Sequence, residues 1–84
     1  MKLKVGKYYL DNDDNICYVK SANSGGFVDA PFYVNHYNVY SDGGLASYFH
    51  REDGSVNLVY CAKNFHKRNI IKELSPEDYP ELYI

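Results

Sequence analysis

The sequence predicts a small, mainly β domain: one antiparallel sheet, or a partly open barrel, of about five or six strands with a short C-terminal helical turn. Two observations support this. Ten tyrosines and no tryptophan occur in 84 residues, and most of the tyrosines fall in short apolar runs. Clusters of Asp, Asn and Gly, which favour turns, separate those runs. Tyrosine suits strands, because its ring packs on a pleated surface while its hydroxyl reaches water.

The first half of the chain predicts a hairpin followed by a long strand. Residues 7–10 form the first strand, the polar segment 11–15 is a turn, and residues 16–20 return as the second strand. Residues 21–26 are predicted to be flexible from their Ser and Gly content. The longest run, residues 32–40, is predicted to be one strand with aromatic side chains on both faces. Such a strand often bends across a small barrel or offers one face to a partner.

Two Asp-Gly turns organise the second half. Residues 41–44 are predicted to join the long strand to a strand at 45–50, and residues 51–54 to join that strand to one at 55–61. These three strands form a predicted antiparallel meander. Residues 70–74 can form a closing strand.

The C-terminal segment predicts a helix of only a turn or two. Ser75 suits the N-cap, Pro76 the first helical position, and the following acidic residues the positive end of the helix dipole. Pro80 restricts the backbone of Tyr79 and ends the element early. The apolar residues 82–84 are expected to pack against the sheet.

Size and charge narrow the function classes. The chain forms one domain, residues 1–84, whose small core leaves little room for an enclosed catalytic pocket, so we expect no enzymatic activity. A net charge of −2 fits neither a basic nucleic-acid binder nor an acidic DNA mimic. No apolar run resembles a signal peptide or a membrane span. We therefore expect a soluble, cytoplasmic protein with no membrane partner.

The acidic turn resembles the start of a calcium loop but departs from it. Asp11, Asp13 and Asn15 have the spacing of the first EF-hand ligands. Ile16 stands where that loop needs glycine, and Ala22 stands where it needs a bidentate glutamate. The segment is therefore predicted to be a structural turn.

Cysteine and histidine spacing predicts no metal, cofactor or catalytic residue. The histidines His36, His50 and His66 lack metal-ligand spacing, and Cys17 and Cys61 form no CxxC motif. A site assembled across strands is left open by spacing alone. Both cysteines are expected to be small buried thiols with no base beside them, although neighbouring strands could allow one disulfide.

Positive charge is concentrated in one segment, at Lys63, His66, Lys67 and Arg68. This segment is either a solvated loop or a patch that meets phosphate or an acidic protein surface. Aromatic rings on a nearby sheet would permit base stacking, as in single-strand binders.

Short motifs along most of the chain resemble small β-rich accessory proteins encoded by bacteriophages. The motifs are residues 5–9 (Val-Gly-Lys-Tyr-Tyr), the acidic pair 13–14, the strand 16–19, the Asp-Gly pair 53–54 and residues 68–74. The chain differs in lacking tryptophan and in its long Tyr-rich middle strand. The resemblance implies an SH3-like or barrel-like fold and a role in host takeover or in countering host defence.

These observations favour a non-catalytic domain that binds and inhibits or modulates a host protein. Tyrosine supplies a large contact area at low side-chain entropy, so aromatics beyond what a small core can bury indicate a binding surface. The predicted contact stripe and its charged rim are Tyr33, His36, Tyr37, Tyr40, Lys67 and Arg68. The alternatives are an RNA or single-stranded nucleic-acid binder, acting with a host ribonuclease toxin, and a protein that sequesters a nucleotide signal. Pairing of an exposed sheet edge would give a homodimer.

Overall fold

A single open antiparallel sheet forms the body of the protein. The computed structural model describes residues 2–56 and 65–83, the side chains of 24–27 and 65–66 excepted. Within these residues the sheet has five strands in the order β4-β3-β2-β1-β5, which confirms the predicted mainly β, antiparallel fold. The strands are β1 (Tyr8–Asp11), β2 (Ile16–Phe27), β3 (Ala30–His36), β4 (Ala46–His50) and β5 (Ile70–Leu74). In the described residues, no helix has the length and apolar character needed to cross a bilayer.

The predicted N-terminal hairpin is confirmed. Strands β1 and β2 pair antiparallel with Tyr9 opposite Cys17. Asp14 closes the turn between them by donating its backbone N–H to the carbonyl of Asp11, and it adopts a φ of 61°. Asp and Asn tolerate this left-handed backbone better than most residues, which explains the polar turn.

Strand β2 continues through the segment predicted to be flexible. Its pairing with β3 extends to Phe27 opposite Ala30, with irregular register after Val19 and again after Ala22. Residues 21–26, expected from their composition to be flexible, therefore lie in a paired strand. Strand pairing supplies hydrogen bonds that outweigh the intrinsic freedom of Ser and Gly, and the bulges absorb the poor fit of these residues to a regular ladder.

Strand β3 ends earlier than predicted. The predicted run 32–40 is a strand only to His36, and residues 37–45 connect it to β4. Asn38 breaks the strand with a φ of 59°, while Gly43, at a φ of 83°, donates its N–H to the carbonyl of Tyr40. Alternation along residues 32–40 therefore does not describe one strand, because the backbone reverses at Asn38.

The second Asp-Gly turn, at residues 51–54, is confirmed, together with the start of the segment that follows it. Arg51 donates its N–H to the carbonyl of Ser55, and Gly54 adopts a φ of 96°. A single bridge joins His50 to Val56. The remainder of the predicted strand, together with Cys61 and Lys63, lies outside the described residues.

The predicted closing strand is confirmed, and so is the presence of a short C-terminal helical turn, but that turn begins at Pro80, where the predicted one was expected to end. Strand β5 pairs with β1, with a register shift between Leu10 and Asp11. A 3-10 turn at Pro80–Tyr83 follows. The Tyr83 hydroxyl accepts from the backbone N–H of Tyr8 (3.0 Å) and donates to the carbonyl of Leu74 (2.7 Å), which fastens the turn to the sheet.

The two faces of the sheet differ in chemistry. The inner face is buried and combines apolar and polar side chains: Tyr9, Asp11, Cys17, Val19, Val34, His36 and His50. Leu3 and Ile70 complete the apolar part of this core. The outer face carries half-buried rings, which we call the outer aromatic face: Tyr8, Tyr18, Tyr33, Tyr37 and Phe49. The small core is therefore partly polar, and most of the described rings lie outside it.

Candidate functional sites: a buried polar cluster and an outer aromatic face

The structure divides the six predicted binding residues among several locations. Tyr33 and Tyr37 are half-buried and belong to the outer aromatic face. Tyr40 lies in the connection between β3 and β4 and is 57% exposed. Lys67 is exposed.

His36 and Arg68 lie on the inner side of the sheet, so their predicted place on an outward surface is wrong. His36 is completely buried, because its register opposite Cys17 turns its ring toward the core. Arg68 is 7% exposed, because its guanidinium pairs with Asp11 and Asp13. The predicted contact residues therefore lie on both sides of the sheet. Arg68 is not available on the surface as part of a basic patch.

The rings of the outer aromatic face form two neighbouring groups. Tyr8 contacts Tyr18 and Tyr83, with ring centroids 4.9 and 5.2 Å apart. Partial burial, and then the phenols of Tyr37, Tyr18 and Tyr83, raise the pKa of Tyr8. In the second group, Tyr33 packs on Phe49 with centroids 5.1 Å apart.

Two lysines accompany these rings. Lys20 and Ser21 line a shallow groove with Tyr33 and Phe49. Both residues reach this groove because the register of β2 shifts between Val19 and Ser21. At the other group, the Nζ atom of Lys7 lies 5.7 Å from the ring centroid of Tyr83, within cation–π range. The outer aromatic face is therefore apolar with basic edges.

On the inner side, a buried polar cluster centres on His36. Its Nδ1 atom lies 2.9 Å from Asp11 Oδ2 and 3.0 Å from Cys17 Sγ. Its Nε2 atom lies 2.8 Å from Nε2 of His50. The exposed fraction of all four residues is 0%. Tyr48 borders the cluster with its ring edge-on to His36.

The strand ends position these side chains. Asp11 ends β1 at its register shift against β5, while His36 ends β3. His36 stands opposite Cys17 on one side and the small Ala46 on the other, which leaves room for the imidazole. His50 ends β4 and donates from Nδ1 to the carbonyl of Gly54, 2.8 Å away.

The carboxylate of Asp11 is held from both sides. Its Oδ1 accepts the backbone N–H groups of Asp13 and Asn15, both at 2.9 Å. Its Oδ2 accepts from Nη1 of Arg68 at 3.1 Å. Burial opposes ionisation, but the hydrogen bond from His36, the two amides and Arg68 outweigh it, so the pKa of Asp11 lies below its usual range. Asp11 is therefore an ionised carboxylate in the interior.

In His36, His50 and Cys17, burial shifts the pKa so that the uncharged form is favoured. It lowers the pKa of His36, although the Asp11 carboxylate opposes the shift. Burial and the neighbouring His36 lower the pKa of His50 to about 3. Burial, with the charge of Asp11, raises the pKa of the Cys17 thiol. At neutral pH the His50 imidazole is therefore neutral.

This arrangement differs from that of a nucleophilic triad. In such a triad the nucleophile and the orienting carboxylate bond to different nitrogens of the histidine. Here Cys17 and Asp11 both approach Nδ1 of His36, and Nε2 is occupied by His50. The thiol is also completely buried. The chemistry of the cluster is that of closely spaced nitrogen, oxygen and sulfur donors.

This cluster is not predicted from the sequence, because its members are distant in the chain. The prediction that neither cysteine has a base beside it is wrong for Cys17, which contacts His36. Strand parity carried a usable signal: Val34 and His36 share a face of β3, as do Val19 and Cys17 of β2. The hairpin turn that follows Asp11 also brings that residue close to the start of β2.

Comparison with protein-family models, curated proteins and solved structures finds no match, so the geometry of these two sites is the basis for inferring function.

Proposed function

We propose that this chain is a non-catalytic binding domain whose outer aromatic face captures a protein partner. The supporting observation is the presence of five half-buried rings on one side of a sheet whose other side is filled. Half-buried Tyr and Phe side chains retain area to bury on association, and their rings cost little entropy to fix. The buried polar cluster and the apolar core fill the other side of the sheet beneath this surface.

The edges of the surface indicate an acidic partner. Lys7 and Lys20 accompany the two ring groups, although the whole chain carries a net charge of −2. A partner with apolar side chains flanked by carboxylates would match both features. Charge complementarity of this kind speeds encounter and selects among partners.

The resemblance to phage accessory proteins makes a host protein the first partner to test. Occupying a surface that the partner needs is sufficient for inhibition or modulation, and it requires no chemistry from this chain. Cytoplasmic action in the host and a role in countering host defence are parts of this proposal.

Measured affinity for an identified partner tests the proposal. A protein captured from host lysate is produced in pure form and titrated by calorimetry with wild type, Tyr33→Ala and Tyr37→Ala. Central aromatic contacts are worth about 2 kcal/mol or more, so each variant is expected to bind roughly 30-fold more weakly. Val5→Ala is the control, since Val5 is an exposed apolar residue outside the outer aromatic face. Tyr40→Ala tests whether the surface extends into the β3–β4 connection. Wild-type affinity in both folded Tyr33 and Tyr37 variants contradicts the proposal.

Single-stranded nucleic acid is the alternative ligand for the same surface. The groove shared by Lys20, Tyr33 and Phe49 joins a cation to rings on which bases could stack. Against this, Arg68 is itself buried and engaged in ion pairs with Asp11 and Asp13. Titration with a fluorescent oligonucleotide separates the two: affinity that falls steeply with salt indicates nucleic acid and counts against a protein partner.

A further inference from the structure

We propose that Asp11, Cys17 and His36 form a binding site for a divalent transition metal of the zinc class. One carboxylate oxygen, one thiol sulfur and one imidazole nitrogen converge here, all within 4.8 Å of one another. These three ligand types are those that bind zinc in proteins. All three residues are completely buried, unlike acidic groups that cluster on a surface for solubility.

The spacing of the donors suits a single ion. His36 Nδ1 lies 2.9 Å from Asp11 Oδ2 and 3.0 Å from Cys17 Sγ. Zinc–nitrogen and zinc–oxygen bonds of about 2.0 Å at a tetrahedral angle place such donors roughly 3.3 Å apart. A separation a few tenths of an ångström larger would accommodate the ion. A water molecule would complete the coordination.

The surroundings have the features of an outer coordination shell. His36 Nε2 faces His50 Nε2 at 2.8 Å, and His50 Nδ1 is anchored on the carbonyl of Gly54. Metal-binding histidines use their second nitrogen in this way, which fixes the ring and its tautomer. Asp11 Oδ1 is held by the amides of Asp13 and Asn15, so Oδ2, which also accepts from Arg68 Nη1, is directed at His36.

The charges balance as well. A dication and the Arg68 guanidinium, which pairs with both Asp11 and Asp13, carry three positive charges that balance the two carboxylates and a Cys17 thiolate. Metal coordination deprotonates a thiol outright, even where burial opposes ionisation. The proposal is independent of the outer aromatic face, which lies on the opposite side of the sheet.

Titration of the untagged, metal-free full chain with Co²⁺ tests the site. We expect one ion per chain and a thiolate-to-cobalt charge-transfer band, which Zn²⁺ abolishes by displacement. Zn²⁺ should also raise the denaturation midpoint of wild type, because an ion that binds only the folded state stabilises it. Absence of the band, or no midpoint shift with Zn²⁺, overturns the proposal without need of any variant.

Variants assign the ligands. Cys17→Ala and His36→Gln should each weaken Zn²⁺ affinity by more than about 100-fold, and His50→Gln by about 10- to 100-fold as an outer-shell residue. Asp53→Asn, an exposed carboxylate outside the cluster, is the control and should bind as wild type. Circular dichroism of the metal-free proteins checks folding. Unchanged affinity in folded Cys17→Ala places the ion elsewhere and overturns the proposal.

Discussion

Nε2 of His36 and Nε2 of His50 lie 2.8 Å apart in the interior, at the ends of two neighbouring antiparallel strands. The rings stack with centroids 5.0 Å apart, and Nδ1 of His50 anchors the pair on the carbonyl of Gly54. The contact thus ties β3, β4 and the turn after β4 to one another, while Nδ1 of His36 ties them to Asp11 on β1. A polar network of this kind specifies a unique packing only while each member is satisfied.

Asp11→Asn is predicted to destabilise the domain by about 3 kcal/mol or more, because it removes a buried charge partner of Arg68. Chemical denaturation in the presence of a chelator measures the change without a contribution from metal. Asp13→Asn is the matched control: its side chain is 46% exposed, so its ion pair with Arg68 is worth about 1 kcal/mol or less. Equal losses in the two variants would show that Asp11 has no special role in stability.

Stability should fall as the pH drops below about 6.5. An imidazole in the unfolded chain takes up a proton near pH 6.5, whereas folded His50 does so only near pH 3, its depressed pKa. The unfolded state therefore binds more protons in this window, and the free energy of unfolding decreases on acidification by up to about 1.4 kcal/mol per pH unit. Denaturation curves recorded with chelator at several pH values measure the slope.

His50→Gln removes this titration and should make the pH dependence shallower, since only His36 then contributes a lowered imidazole pKa. Below pH 3.8 the lowered pKa of Asp11 adds a loss of the same sign, as its ionised form is the stabilised one. A wild-type stability that stays constant between pH 7 and pH 4.5 would rule out a neutral buried His50.

Tyr83→Phe is predicted to cost about 1–2 kcal/mol although the ring is kept. The hydroxyl joins the backbone N–H of Tyr8 to the carbonyl of Leu74, and its removal leaves two partly buried groups unpaired. Tyr40→Phe, at an exposed position, should change stability by no more than a few tenths of a kcal/mol. Thermal denaturation compares the two. If Tyr83→Phe melts like wild type, the hydroxyl bridge is not a stabilising contact.

Tyr33 and Phe49 should show a favourable coupling of about 0.5–1.5 kcal/mol in a double-mutant cycle of alanine variants. They stand directly opposite each other in β3 and β4, with ring centroids 5.1 Å apart. The same cycle measured for partner affinity reports how much of the pair is used in binding. Strict additivity in the stability cycle would mean that the two rings do not interact.

The sequence predicts the strands and turns well where local chemistry decides them. The polar turn after Asp11 and the Asp-Gly turn at residues 53–54 follow from backbone preferences of those residues. Residues 21–26 belong to a strand despite their Ser and Gly content, because pairing with β3 overrides their composition.

The buried polar cluster could not be predicted with the same ease. The contact between His36 and Cys17 depends on the register of β2 against β3, and the contact with His50 depends on the register of β4. A shift of one residue in either pairing would turn these side chains to the other face. Arg68 shows this most clearly. The sequence marks it as one of several basic residues, and only the fold, which places it beside Asp11, shows that it forms a buried ion pair.

Tyrosine nitration, mapped by mass spectrometry in the free and the partner-bound protein, tests the proposed binding surface most directly. Tyr33 and Tyr37 are expected to react in the free chain and to be protected in the complex, whereas the fully buried Tyr9 should remain unreactive in both. Equal reactivity of Tyr33 and Tyr37 in the free and bound states would contradict capture of a partner by the outer aromatic face.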